Sequence, residues 1–322
     1  MVNVTEVELS MNTVQMGATV HHLPWGPLGA VLLSVCILAS CGDSRDAGGP
    51  LSGEPGLFRL SFEHDGVQRE TMVYVPSSYT VEQSAALLFN FHGYGGTGDA
   101  HLQWADMRSL ADRDGVIVAY PTGTEMDGST HWNCSLPSAD NKSTADDFGF
   151  VEVLIDTVAA TYNLDEERVY AVGYSNGGMM AFGLACFLSD RVAAVGSVSG
   201  VMLDDAAAGC ENSHPTSVIT LHGTADGVLP YEGGEGMLPA REAVDLWVDW
   251  NRADATPTTG EDASGGMTIQ HWAHEGGTGG AAVHHYSYEG GDHVWFEETY
   301  EGKDASTLVW DFLIRFDQNG AL

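Results

Sequence analysis

Residues 168–186 read RVYAVGYSNGGMMAFGLAC. The first part, Val169 to Tyr174, is a continuous apolar run of strand length, and Asn176 to Leu188 follows with the composition of a helix. Between them stands Gly173-Tyr174-Ser175-Asn176-Gly177, a G-x-S-x-G match. In a chain with 40 glycines the match alone is weak. Its position is the stronger signal, because a nucleophile elbow has to sit between a buried strand and a helix. The flanking glycines permit a sharp turn that a Cβ would obstruct. The serine then projects at a helix N-terminus, where free N–H groups and the dipole favour negative charge. Ser175 is therefore the expected nucleophile.

Working outward, similar short apolar runs recur: ALLFNF at 86–91, GVIVAY at 115–120, AAVGSVSG at 193–200 and SVITLHG at 217–223. Runs of this kind suit strands buried on both faces of a parallel sheet. Helical patterns fall between and after them, at 147–162, where Asp146 is placed to cap the first turn, at 241–252 and at 305–316. Ahead of the first run, LFRLSFE and ETMVYV alternate in polarity across Asp65-Gly66, a hairpin signal. Near the end, 267–274 and 282–289 are strand-like and flank a glycine-rich turn. The expectation is one α/β-hydrolase domain over 57–322, with a mostly parallel sheet, an antiparallel N-terminal hairpin and helices on both faces. Residues 122–145 remain as a long polar loop containing Trp132, Asn133 and Cys134.

A nucleophilic serine needs a base, and the base needs an orienting acid, in the chain order Ser, acid, His for this architecture. SVITLHGTAD delivers Asp226 just past a strand end; Asp204, Asp205 and Glu232 are its competitors. Of the late histidines, His222 lies within a strand, and His271, His274, His284 and His285 lie on the late hairpin. His293 alone sits in a loop between the last strand and the final helix, where its ring can fold back toward Ser175. Reading His284, His285 and His293 as metal ligands lacks supporting Cys or carboxylate spacing, so no metal or cofactor is expected. Acyl transfer also needs N–H donors for an oxyanion. Phe91-His92-Gly93-Tyr94-Gly95-Gly96 follows the first buried run in the manner of HG-type loops. It points to the backbone N–H of Tyr94, with that of Asn176 as the second donor.

Together the HGYGG loop, Tyr120-Pro121 with Gly123, Trp132-Asn133, ADDFGF at 145–150, the 168–186 stretch, HGTADGVLPYEGG at 222–234 and GGDHVW at 290–295 resemble secreted esterases of the polyhydroxybutyrate depolymerase-like and feruloyl esterase family. The likeness covers about 55–316. It implies the triad Ser175, Asp226 and His293, a substrate cleft bordered by Trp132 and Trp295, and a disulfide between Cys186 and Cys210. Short-chain, aromatic or hydroxyalkanoate esters, small or oligomeric, would be the substrates. After the histidine the family more often has Thr and then Trp-Pro, whereas this chain has Val294, Trp295 and Phe296. Polymer-degrading members often carry a separate binding domain for which this chain has no room. A serine peptidase or acyltransferase on the same fold is the alternative enzyme; an inactive surface-binding lipoprotein would require a broken triad.

Composition narrows the setting. Twelve basic and 45 acidic residues give 12 − 45 = −33, with Lys142 and Lys303 the only lysines. The acids are scattered, which suits a solubilising surface for salty water and repels nucleic acid and anionic membranes. The run Leu28 to Ala39 is too short to span a bilayer but has the length of a signal-peptide core, and it ends in Leu38-Ala39-Ser40-Cys41. This resembles a lipobox, although no Lys or Arg precedes the run. A signal segment at 1–41, lipidation at Cys41 and a flexible tether at 42–56 are expected, so membrane contact would come only through the anchor. Beyond the leader and Cys41, only Cys134, Cys186 and Cys210 remain, enough for one bridge and one free thiol.

Overall fold

The computed structural model describes residues 51–135, 143–210 and 214–322. The expected signal segment, Cys41 and most of the tether lie outside them. The tether's last residues are packed: Leu51 rests against the core, and Tyr162 donates its hydroxyl hydrogen to the Glu54 carbonyl at 3.4 Å.

The chain opens with β1 (Gly56–His64) and β2 (Val67–Val75), an antiparallel hairpin in register from Gly56↔Val75 to His64↔Val67. Its turn has positive φ at both Asp65 (49°) and Gly66 (75°), the combination that Asp-Gly tolerates and that matches strand twist. Then come β3 (Ala85–Phe91), α1 (Gly98–Trp104), α2 (Arg108–Asp114) and β4 (Ile117–Pro121). The stretch expected as a long loop folds a small hairpin, β5 (Thr124–Met126) and β6 (Ser129–His131), around Asp127-Gly128. Next are α3 (Asp147–Ala159), β7 (Leu164–Tyr174), α4 (Asn176–Phe187), β8 (Ala194–Val198), α5 (Asp204–Gly209), β9 (Ser217–Gly223) and α6 (Ala240–Asn251). As expected, Asp146 caps α3, its carboxylate accepting the Gly149 N–H at 3.0 Å. The chain closes with β10 (Thr258–Ser264), β11 (Met267–His274), β12 (Val283–Tyr288), α7 (Ala305–Leu313) and a short pair, β13 (Phe316–Asp317) and β14 (Gly320–Ala321).

Ten strands form one sheet in the order β1-β2-β4-β3-β7-β8-β9-β12-β11-β10. The six from β4 to β12 are parallel, and the antiparallel pairs are confined to the two margins. The central strands are buried on both faces, as their unbroken apolar runs require. Alternate residues of β3 feed opposite cores. Leu87, Phe89 and Phe91 meet residues of α3, α4 and α6, including Phe150, Met180 and Trp247. Ala86 and Leu88 face residues of α1, α2 and α7, including Leu102, Ala111 and Trp310. Strand β10 departs from the sequence reading: TTGEDAS has no apolar face, yet it pairs along β11 as the outer edge. Edge position explains this, since one flank and most side chains meet water and few need to be apolar. Among the described residues no helix is long and apolar enough to cross a membrane.

Chain direction across the sheet reverses around β3 and β7: α1 and α2 lead from β3 to β4 on one side, whereas β7, β8 and β9 step the other way. In such sheets the crevice beyond the strand carboxyl ends at the reversal is where ligands bind. The loop after β3 and the turn after β7 both open there.

Candidate active site

Ser175 sits at the β7–α4 junction with φ 54° and ψ −118°, a strained backbone for a non-glycine residue. The turn is tight enough to demand glycine on both sides. A Cβ on Gly173 would stand 2.2 Å from the Gly177 carbonyl, and one on Gly177 would stand 2.2 Å from the Phe91 oxygen. The Ser175 N–H donates to the Val198 carbonyl at 3.0 Å, tying the turn to the end of β8.

Asp226 lies just beyond β9 with its side chain fully buried. One carboxylate oxygen accepts the Val228 and Leu229 N–H groups at 2.9 and 2.8 Å. The other accepts His293 Nδ1–H at 2.7 Å; His222 Nε2, hydrogen-bonded to the Leu229 carbonyl at 2.9 Å, lies 3.3 Å from the same oxygen. Burial alone would raise this carboxyl's pKa, but the bonds from His222, His293, Leu229 and Val228 outweigh it and hold the group far below the usual carboxylate range. His222 was not expected at this position; an HG dipeptide at a strand end close before the acid is the signal that could have pointed to it.

Backbone contacts bring the loop of His293 onto those of Asp226 and Ser175. Thr224 N–H donates to Tyr288 O and Ala225 N–H to Gly291 O, both at 2.9 Å. A Cβ on Gly223 would come 2.3 Å from the Gly291 oxygen. Tyr174, the residue before Ser175, donates its hydroxyl hydrogen to the His293 carbonyl at 2.7 Å. Ser199 Oγ–H does the same for Val294 at 2.7 Å. The structure thus joins Asp226 to His293 directly and seats both on the elbow. Among the described residues the Ser175 hydroxyl makes no hydrogen bond to the imidazole, a contact that in unliganded sites often tightens only with substrate.

The loop after β3 is braced on every side. Burial drives the His92 imidazole down to about pKa 4, so it is neutral. Its Nε2 accepts the Gly123 N–H at 3.0 Å, which leaves the hydrogen on Nδ1 for the Gly93 carbonyl at 2.6 Å. Gly95 N–H donates to Thr130 O at 2.8 Å, and the Thr130 hydroxyl donates to Gly96 O. Asn176 is the first residue of α4, so its N–H has no intrahelical acceptor.

The two tryptophans expected at the cleft are interior. Trp132 is 2% exposed and Trp295 is 7% exposed. Trp295 donates its indole N–H to Ser306 Oγ at 3.0 Å and lies behind His101, ring centroids 5.8 Å apart. The cleft beside the elbow is instead walled by Tyr94, Thr97, Trp104 and Tyr174. Trp104 and Tyr94 are 51% and 56% exposed, and Trp104 stands edge-on to Tyr174 at 4.6 Å. No Asp, Glu, Lys or Arg lines this cleft. Its two histidines, His92 and His101, are both held neutral by burial. Trp104 could have been noticed as a lone large aromatic closing the short segment after the HGYGG loop.

Elsewhere, Cys186 and Cys210 form a disulfide, with Cα atoms 4.6 Å apart, and Cys134 is a buried free thiol. His284 bonds Glu275 and His285 bonds Thr220 and Tyr231, so neither shares a site with His293. Among the described residues no group of three or more His, Cys, Asp or Glu side chains is arranged to hold a metal ion.

The sheet, its covering helices and the elbow define an α/β-hydrolase fold. Acetyl xylan esterase from Aspergillus awamori superposes with a TM-score of 0.55 at 17% identity, over 74% of this chain and 94% of that one. The ferulic acid esterase of the anaerobic fungus Anaeromyces mucronatus does so at 0.53 and 14% identity, over 85% and 94%. Within this fold, residues 70–217 match the family described as esterase PHB depolymerase. Feruloyl esterase B of Piromyces equi is 30% identical over 168 residues, 52% of this chain and 31% of that protein. A bifunctional acetylxylan esterase/xylanase of Neocallimastix patriciarum is 31% identical over 173 residues, 54% of this chain and 24% of that protein. The chain therefore spans less than a third of either relative's length.

Proposed function

We propose that the chain is an exported serine carboxylic ester hydrolase. The observation that carries this reading is the 2.7 Å Asp226–His293 pair anchored to the Ser175 elbow through Tyr174. His293 Nε2 takes the proton from Ser175 Oγ as the hydroxyl attacks the ester carbonyl. Asp226 stays ionised and holds the imidazolium. The Tyr94 and Asn176 N–H groups receive the oxyanion. His293 returns the proton to the departing alcohol, leaving an acyl-serine, and water then repeats the cycle to release the acid and free Ser175. No metal or cofactor takes part in these steps.

The uncharged, aromatic-walled cleft favours esters of neutral acyl groups, either short or aromatic, with hydroxyalkanoate oligomers as further candidates. Trp104 and Tyr94 offer flat apolar area to an acyl ring. The names of the relatives, feruloyl and acetylxylan esterases, agree with this class. Export is supported by the Cys186–Cys210 bridge, a bond typical of oxidising compartments; anchoring through Cys41 belongs to the same proposal.

Ser175→Ala should lower hydrolysis of p-nitrophenyl acetate by roughly 10⁴-fold with folding unchanged. Mass spectrometry of the wild type after a slow-turnover ester should find the acyl group on Ser175. Folded Ser175→Ala protein with comparable turnover would overturn the proposal. Faster cleavage of amides than of matched esters would move it to the peptidase alternative.

A further inference from the structure

Trp132 follows β6, and its two polar faces point at different parts of the site. The indole N–H donates to the His92 carbonyl at 2.9 Å, and the ring packs against Phe91 and His92 with centroids 5.0 Å from each. The main chain turns toward α4: Trp132 N–H donates to Asn176 Oδ1 at 2.7 Å, and Asn176 Nδ2–H donates back to Trp132 O at 3.1 Å. One buried residue thus grips both segments that carry the proposed oxyanion donors. The hairpin just before it adds the Thr130 bonds to Gly95 and Gly96.

We propose that Trp132 is a positioning residue that fixes the spacing and aim of the Tyr94 and Asn176 N–H groups; this rests on the oxyanion reading above. The two donors belong to different elements, the loop after β3 and the start of α4; the pairing of Phe91 with Gly173 brings these elements together, but it does not fix the aim of either N–H. An oxyanion is stabilised only by donors already within about 2.7–3.1 Å of where its charge develops. The Trp132 brace supplies that preorganisation. Its indole holds the peptide two residues before Tyr94, Thr130 holds the peptide after it, and its backbone locks the Asn176 side chain. A ground-state ester carbonyl gains less from correct aim than the tetrahedral adduct does, so the brace acts on kcat more than on KM.

Trp132→Phe keeps an aromatic ring but removes the N–H together with part of the indole, so its urea stability is measured beside its kinetics. For p-nitrophenyl acetate it should lower kcat by roughly 10- to 100-fold, less than outright loss of a donor. KM should stay within about twofold, and affinity for a boronic acid that mimics the tetrahedral adduct should weaken by the same factor as kcat. Asn176→Asp cuts the other arm, by setting a carboxylate oxygen against the Trp132 carbonyl, and should give the same signature. Phe91→Leu, which disturbs the packing of the indole without touching a polar bond, serves as the packing control and should leave both kcat and boronate affinity within about twofold of wild type. Folded Trp132→Phe and Asn176→Asp proteins with wild-type kcat and boronate affinity would refute the proposal. So would an equal loss in Phe91→Leu at equal stability, or a KM increase confined to aromatic esters, which would make Trp132 a substrate wall. Failure of the underlying reading would show separately, as retained activity in Ser175→Ala.

Discussion

Asp147→Asn should be among the most damaging single changes in the domain, although the residue lies outside the proposed triad. Asp147 opens α3 and is fully buried, and its partner Arg69 on β2 is 2% exposed. The guanidinium donates to one carboxylate oxygen at 2.7 Å, and the second oxygen accepts the Asn133 N–H at 2.7 Å. Arg69 also lies over the Phe150 ring, 3.8 Å from its centroid. The amide keeps the shape but removes the charge, leaving a desolvated guanidinium uncompensated. Breaking one partner of such a pair typically costs about 3–5 kcal/mol. At roughly 2 °C per kcal/mol for a domain of this size, the melting temperature should fall by about 6–10 °C. The double change Arg69→Met with Asp147→Leu removes both charges and leaves chiefly the Asn133 N–H without an acceptor, a loss of about 1–3 kcal/mol. It should therefore be the milder variant. Urea unfolding of the wild type, the single variant and the double variant measures both numbers. A loss below about 1 kcal/mol for Asp147→Asn, or a double variant worse than the single one, would show that the pair is not what holds β2 to α3. Because Asn133 adjoins Trp132, ester turnover should fall in Asp147→Asn while it is still folded.

Reducing the Cys186–Cys210 bridge, or Cys186→Ser, should cost about 3 kcal/mol by closing entropy for a loop of 24 residues; an unchanged urea midpoint under reductant would contradict this. Burial depresses His92 and His271 to about pKa 4 and His101 lower still. The native state thus refuses protons that the unfolded chain takes up near pH 6.5. Stability should be flat above that pH on this account and fall as pH drops toward 4, by up to about 1.4 kcal/mol per unit for each histidine; urea midpoints equal at pH 7 and 5 would refute it. The −33 net charge implies self-repulsion that salt screens, so the midpoint should rise between 50 mM and 1 M NaCl, and a fall would argue against it. Trp104→Ala should lower kcat/KM for aromatic esters by about 1–2 kcal/mol and leave acetate nearly unchanged; equal loss on both would remove the acyl-wall role.

How far the sequence reached depended on which physical constraint each segment obeys. Buried parallel strands must be apolar throughout, so 86–91, 115–120 and 217–223 were legible, as was the hairpin at Asp65-Gly66, where positive φ restricts the residue choice. Strand β10 and the β5–β6 hairpin were not. Edge strands need no apolar face, and three-residue strands show no period. The seven-residue helices α1 and α2 are likewise too short to display one. Chain order and loop position sufficed to nominate Asp226 and His293, because the fold dictates where loops emerge. What a side chain does inside its loop is a matter of tertiary packing, and there the family resemblance misled: Trp132 and Trp295 point inward, and Trp104 took the exposed place.

The same contrast bears on how the site is maintained. Its exposed wall, Trp104 and Tyr94, makes few demands on the fold, so substrate preference can change there at little cost in stability. Its inner brace, Trp132 with His92, Thr130 and Asn176, is tied by at least five hydrogen bonds to two separate elements. Each of those bonds lies in a buried or half-buried setting, where an unmade partner costs about 1–3 kcal/mol. Change at the brace should therefore be penalised twice, in stability and in the aim of the proposed oxyanion donors. Specificity in this protein should follow from the few exposed aromatics at the rim, and the aim of the proposed oxyanion donors from residues that never meet the substrate.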